Sequence, residues 1–216
     1  MAGDLLSFTL LTFSSILIIV NPLGATLVYV SLTTGLDKPA RHTIARDSCR
    51  FALLILLFVA VLGAWILQLF GIGLEAFRIA GGILLFGIGM EMVYARTSRT
   101  KLTATEKYES RENDDVAIMP LAIPMIAGPG AITTTIVMMN EAIVMTPIAI
   151  AVVFIAIAVS IVITYYMMRN SDYIIKRVGQ REYRAINRLM GMLLIAIAVQ
   201  FVINGIKLAF PLLTGG

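Results

Sequence analysis

Charged residues come in short bursts along this chain, and between them run six almost uninterrupted apolar stretches, near residues 5–36, 51–70, 74–95, 117–140, 142–168 and 189–210. Each can supply the roughly 20 apolar residues that an α-helix needs to cross a lipid core. The pattern predicts an all-α polytopic membrane protein with six transmembrane helices. The first stretch exceeds one straight span, since 32 residues at 1.5 Å each would reach about 48 Å. Tilt, unwinding or partial re-entry must absorb the excess.

Composition sharpens this picture. Of 216 residues, 59% are hydrophobic and 14% charged, against roughly 25% charged in an ordinary soluble domain, and the mean hydropathy is +0.91. A water-soluble globule is excluded. The net charge of +4 carries no nucleic-acid message, because the cations sort by connector. Lys38, Arg41, Arg46 and Arg50 lie in the first connector, and Arg96, Arg99, Lys101, Lys107 and Arg111 in the third. Arg169, Lys176, Arg177, Arg181, Arg184 and Arg188 lie in the fifth, which leaves Arg78 and Lys207 for the other face. Cationic loops are retained on the cytoplasmic side. That predicts a multi-pass protein of the cell (inner or plasma) membrane with both termini extracytoplasmic. The start, MAGDLLSF, lacks the basic region of a cleaved signal, and its apolar run continues too far for one, so it reads as part of the mature protein. One cysteine, Cys49, and one histidine, His42, supply no disulfide and no soft-ligand metal set. No Ser/His or paired-Asp constellation lies within the spans, so an enzyme is not expected.

The charged loop 96–116 divides the chain into two three-span halves, 1–95 and 117–216. They match in two places. Asn21-Pro22-Leu23-Gly24 with Thr26 stands against Gly128-Pro129-Gly130 with Thr133, an offset of 107, and the run from Arg78 to Leu85 stands against Arg188 to Ile195, an offset of 110. Three is odd, so the second half enters the membrane from the opposite side, which makes the pair an inverted repeat of the kind found in secondary transporters. Pro-Gly inside a span predicts a break in helices 1 and 4. Such a break must face protein, water or ligand rather than lipid. Half-helices beginning near Ala25 and Ala131 would offer free N–H groups to a carboxylate. Those ending near Val20 and Ala127 would offer carbonyls to an ammonium group or a cation, and a zwitterion satisfies both. Thr26, Thr133, Thr134, Thr135 and the amide of Asn21 lie within a turn of the breaks. A Pro-Gly kink is also a common packing adjustment, and it is the doubling at matched places that favours a site.

The strings NPLGATLVYVSLT, FRIAGGILLFGIGMEM, IPMIAGPGAITTTIVMM and NRLMGMLLIAIAVQFVINGI resemble the MarC family of integral membrane proteins, also described as the small neutral amino-acid transporter family, with SnatA as a member. The likeness spans nearly the whole chain. It implies a six-helix, two-repeat inner-membrane carrier that moves glycine, alanine and related amino acids using an ion gradient, with Asn21, Pro22, Gly24, Gly128, Pro129 and Gly130 as signature residues.

Other polar positions carry plainer expectations. No carboxylate lies near the middle of a span, which disfavours a buried proton relay and leaves sodium at the breaks, or a proton carried nearer the surface, as coupling ion. Glu75 and Arg78, three residues apart, predict an interfacial ion pair. Glu91 is either a gate or a solvated helix end. Gln200 and Asn204 project from one helix face, where interhelical hydrogen bonding is a simpler account than substrate contact. Gly81, Gly82, Gly87 and Gly89 predict close helix packing, and Trp65 an interface anchor. The expected activity is alternating-access transport of a small neutral amino acid, with Asn21, Pro22, Gly24, Thr26, Gly128, Pro129, Gly130, Thr133 and Thr134 forming the site. An exporter or passive pore for other small solutes, or a non-transporting scaffold, are the alternatives. Oligomeric state is not legible.

Overall fold

The structure, a computed structural model, describes residues 2–94, 121–177 and 180–210. The charged loop 96–116, with its five cations, and residues 117–120 of the expected fourth span lie outside the described residues. The chain forms α1 (Ala2–Val20), α2 (Pro22–Leu32), α3 (Lys38–Leu69) and α4 (Leu74–Val93), then a short π-helical segment, Leu121–Ile126. After it come α5 (Pro129–Met145), α6 (Pro147–Arg169), α7 (Ser171–Arg177) and α8 (Gln180–Ala209).

Among the described residues, five helices are long and apolar enough to cross a membrane: Asp4–Leu32 taken through its break, Lys38–Leu69, Leu74–Val93, Pro147–Arg169 and Arg184–Ala209. The expected fourth span divides instead. Ile123 takes an extended conformation (φ −134°, ψ 124°) inside the π-helical segment, and α5, at 17 residues, reaches only about 25 Å.

Short polar punctuation sets the helix starts. Asp37 accepts from the Ala40 N–H at 3.0 Å ahead of Pro39 in α3, and Thr146 accepts from the Ala149 N–H at 3.2 Å ahead of Pro147 in α6. Both combine a side-chain cap with proline in the first turn, where its missing N–H costs nothing. Gly71, at φ +66°, closes α3 in the left-handed conformation that favours glycine.

At the centre stands α5, which packs against α1, α3, α4 and α6. Every residue from Thr133 to Met139 is buried, as expected of a helix surrounded on all sides. The outer faces carry exposed Leu54, Phe58, Val61 and Trp65 on α3 and Leu189, Met192 and Leu193 on α8, a surface suited to lipid and not to water. Trp65 sits close to the end of its helix, as an interfacial residue should.

The closest pairing joins α4 to α8, the third and last of the long spans, along a seam of glycines. A methyl added to Gly82 would sit 2.7 Å from the Ala198 carbonyl oxygen, one on Gly89 3.0 Å from that of Gly191, and one on Gly205 2.9 Å from that of Glu75. Backbone cannot yield as a flexible side chain can, so these glycines set the helix separation. Gly81 belongs elsewhere, against the methyl group of Thr133 on α5, and Gly87 faces open space. Gly82→Ala should therefore destabilise the protein by about 1–3 kcal/mol through overpacking, whereas Gly87→Ala should be neutral or slightly stabilising through helix propensity. Thermal unfolding of both variants in detergent checks the contrast, and equal effects would contradict it.

Candidate functional site

The first break is one residue wide. Asn21 adopts a left-handed conformation (φ 48°, ψ 67°), which asparagine tolerates better than most side chains. Its Oδ1 accepts from the Gly24 N–H at 3.1 Å. That diverts the Gly24 N–H from the Val20 carbonyl, and Pro22 has no N–H to give to the carbonyl of Ile18. Gly24 must lack a side chain, since a Cβ there would stand 2.9 Å from Asn21 Cγ. The hydroxyl of Thr26 donates to the Pro22 carbonyl at 2.7 Å. At the start of α2 the Gly24 N–H is thus capped by Asn21 and the Ala25 N–H returns to the Asn21 carbonyl at 3.0 Å, while the end of α1 has carbonyls to spare.

The second break resolves differently. Four helices, α2, α3, α5 and α6, carry proline in the first turn, and three of them receive a side-chain cap; α5, preceded by Gly128, does not. The Ile132 N–H reaches the Gly128 carbonyl at 3.0 Å, so the N–H groups of Gly130 and Ala131 are the first-turn donors that no side chain caps. Both residues are buried. A buried helix start without a cap is a place where a partner is expected, and the helix dipole there favours a negative group. One turn further, Thr134 and Thr135 are fully buried and their hydroxyls have no hydrogen-bond partner.

The two breaks meet. An added Cβ on Gly130 would stand 3.4 Å from Ile19 Cγ2 of α1, and 2.8 and 3.4 Å from Leu85 Cδ2 and Ile88 Cδ1 of α4. On the other side α2 packs against the Leu121–Ile126 segment. The Thr12 hydroxyl contacts the Met138 sulfur at 3.6 Å, so α1 and α5 run antiparallel in a register that brings Ser15 to the level of Thr135. Ser15 is buried with an unpartnered hydroxyl, as is Ser160 of α6. Sequence reasoning gave neither serine a role. The signal for Ser15 was its spacing from Thr12, three residues along one face of an otherwise apolar helix.

Residues 6–210 match the profile described as MarC family integral membrane protein. The chain belongs to this family. A UPF0056 membrane protein of Methanocaldococcus jannaschii is 42% identical over 203 residues, covering 94% of this chain and 97% of its own. YvbG of Bacillus subtilis is 37% identical, with 96% and 98% covered, and YhcE of Escherichia coli is 34% identical, with 92% of each chain covered; both are UPF0056 membrane proteins. No solved structure matches. MarC membership together with the long apolar helices makes this a multi-pass integral membrane protein.

In this MarC-family chain the expected site residues divide into groups. Gly24, Thr26, Gly128, Gly130, Thr133 and Thr134 are buried around the breaks, Asn21 and Pro22 are half-buried there, and Pro129 is exposed. The half-helices start at Pro22 and Pro129 and not at Ala25 and Ala131, because proline begins each helix instead of bending one. Of the two half-helices, α5 is the one without a side-chain cap. Glu91 is exposed, one turn along α4 beyond Ile88, which closes on Gly130. Gln200 Nε2 donates to Asn204 Oδ1 at 2.8 Å, within α8 and not between helices, since a separation of four stacks the two amides on one helix face. Arg78 pairs with Glu141 at 2.8 Å in place of Glu75, because its buried side chain turns inward to α5.

The cap on α2 gives a test that needs no substrate. Asn21→Ala loses both the cap and a residue suited to φ 48°, and should cost about 1–2 kcal/mol. Asn21→Gly, which restores the backbone freedom, should cost less. Denaturation in detergent distinguishes them, and equal losses would contradict the left-handed cap.

Proposed function

We propose that the chain carries small neutral amino acids across the membrane by alternating access, with the substrate held where the two breaks meet. The observation that carries this reading is the uncapped, buried start of α5 beside the interrupted end of α1. A zwitterion answers both. Its carboxylate accepts from the N–H groups of Gly130 and Ala131, and its ammonium group donates to the carbonyls of Ile18 and Val20. Asn21 holds the first break in shape, and Gly128 with Pro129 holds the second. The hydroxyls of Thr133, Thr134 and Ser15 complete the polar lining. Ile19, Leu85 and Ile88 close around Gly130, and this crowding disfavours a substrate with a large side chain.

The same reading takes the six stretches as two inverted three-span repeats, with the Leu121–Ile126 segment and α5 together forming the fourth span. It places both termini outside the inner membrane by the distribution of cations. Coupling to sodium or to protons follows from the transporter reading and not from any acid at the breaks.

Reconstituted protein should exchange labelled for unlabelled alanine in counterflow, which a passive pore cannot do, with sodium and proton gradients imposed separately to identify the driving ion. Gly128→Leu should abolish uptake without loss of expression, and normal alanine uptake by that variant would count against a site there. Thr134→Val provides a sharper check. Replacing an unpartnered buried hydroxyl by a methyl group should leave stability unchanged or raise it by about 1 kcal/mol, yet reduce alanine exchange by about tenfold or more, the loss of one substrate hydrogen bond. Unchanged exchange would remove Thr134 from the site.

A further inference from the structure

Two of the ion pairs among the described residues tie the N-terminal part of the chain to the C-terminal part, one on each side of the breaks. At the face where α4 begins, Arg78 Nη2 of α4 meets Glu141 Oε1 of α5 at 2.8 Å. At the face where α3 begins, Arg41 grips α7. Its Nη2 lies 2.9 Å from Asp172 Oδ1 and 3.1 Å from Ser171 Oγ, and its Nη1 lies 3.4 Å from Asp172 Oδ2. Tyr29 of α2 braces this second pair, donating its hydroxyl to the Arg41 carbonyl at 2.9 Å with the guanidinium 5.8 Å over its ring. By contrast, the pairs that Asp47 makes with Arg46 and Arg50 stay within α3 and join nothing.

Their depth is set by the contacts around the breaks. Gly81 abuts Thr133, so Arg78 lies one turn, about 4.5 Å, beyond Thr133 toward the face where α4 begins. Glu141 lies eight residues beyond Thr133 on the same side, about 12 Å away. Tyr29 lies seven residues past Pro22 on the opposite side, about 10 Å from the first break. Each pair therefore stands between the breaks and one face of the membrane. Both are closed here, and between them Gly24, Thr26, Gly128, Gly130, Thr133 and Thr134 are buried.

We propose that Arg78–Glu141 and Arg41–Asp172 are the two latches of the site, released alternately to open it to one face and then the other. This rests on the alternating-access reading above. Rocking one half of the chain against the other must stretch a contact that spans them, and a charge-assisted pair resists that until a competitor replaces it, more firmly at Arg78–Glu141, whose side chains are 11% and 25% exposed, than at Arg41–Asp172, where the Asp172 side chain is 63% exposed. Arg78 is prepared for such a competitor. Its Nε is buried without a partner, so an arriving carboxylate finds a free donor on the guanidinium that Glu141 already holds.

The test is sided labelling of a thiol introduced as Thr133→Cys in a Cys49→Ser background, using a membrane-impermeant maleimide on right-side-out and inverted vesicles. Glu141→Gln should speed labelling about fivefold or more from the face where α4 begins, and Asp172→Asn should do so from the opposite face, as expected when one of two balanced states is favoured. The exchanged pair Arg78→Glu with Glu141→Arg should restore the parent rates, which guards against simple misfolding of the single variant. Equal acceleration from both faces, or none, would overturn the latches. Labelling needs no substrate, so a sided shift without transport of any amino acid sinks the substrate reading alone. Amino-acid counterflow with unmoved labelling sinks the latches alone.

Discussion

Peptide groups that lose their helical partners inside an apolar surround constrain everything else in this chain. Leaving such a group unpaired away from water costs several kcal/mol, so an interrupted membrane helix persists only where something nearby answers it. At the first break the answer is internal: Asn21 turns left-handed, caps Gly24, and leaves the deficit on the carbonyls of α1. At the second there is no side-chain cap, and the deficit falls on two buried N–H groups. The two deficits are of opposite polarity and lie side by side where Ile19 meets Gly130. A dipolar guest is the simplest thing that neutralises both.

The surrounding helices hold that juxtaposition in place. The middle of α5, Thr133 to Met139, is buried on every side, and at its start Gly130 is held between α1 and α4. The glycine seam between α4 and α8 sets how near α4 can stand, and Gly81 then lets Thr133 press against it. A rigid frame around an incompletely satisfied centre is what a binding site requires. The fully buried but unpartnered hydroxyls of Thr134, Thr135, Ser15 and Ser160 belong to the same pattern, since a core built only for stability would have apolar residues there.

Much of the fold was legible in the sequence because lipid leaves few choices. Long uncharged runs marked the spans, and the Asn-Pro-x-Gly and Gly-Pro-Gly strings marked the breaks. What sequence could not supply was how the first break is satisfied, because that depends on the left-handed dihedral angles at Asn21, which bring its side chain onto the Gly24 N–H. The partner of Arg78 was also hidden. Local spacing pointed to Glu75 on the same helix, whereas the structure pairs Arg78 with Glu141, 63 positions away. The fourth span read as one apolar run, yet Ile123 and Pro129 divide it into a π-helical segment and a short helix. Apolar content registers hydrophobicity along the run and is blind to that division.

The account is tested most directly at the amides of the two half-helices. In protein labelled with nitrogen-15 at glycine and alanine and reconstituted in lipid, titration with alanine should shift the amide resonances of Gly130 and Ala131, as expected when they donate to a carboxylate. The Gly24 amide, already engaged by Asn21, should stay where it is. Saturating alanine that leaves Gly130 and Ala131 unmoved, or that moves Gly24 equally, would contradict a carboxylate seat at the start of α5.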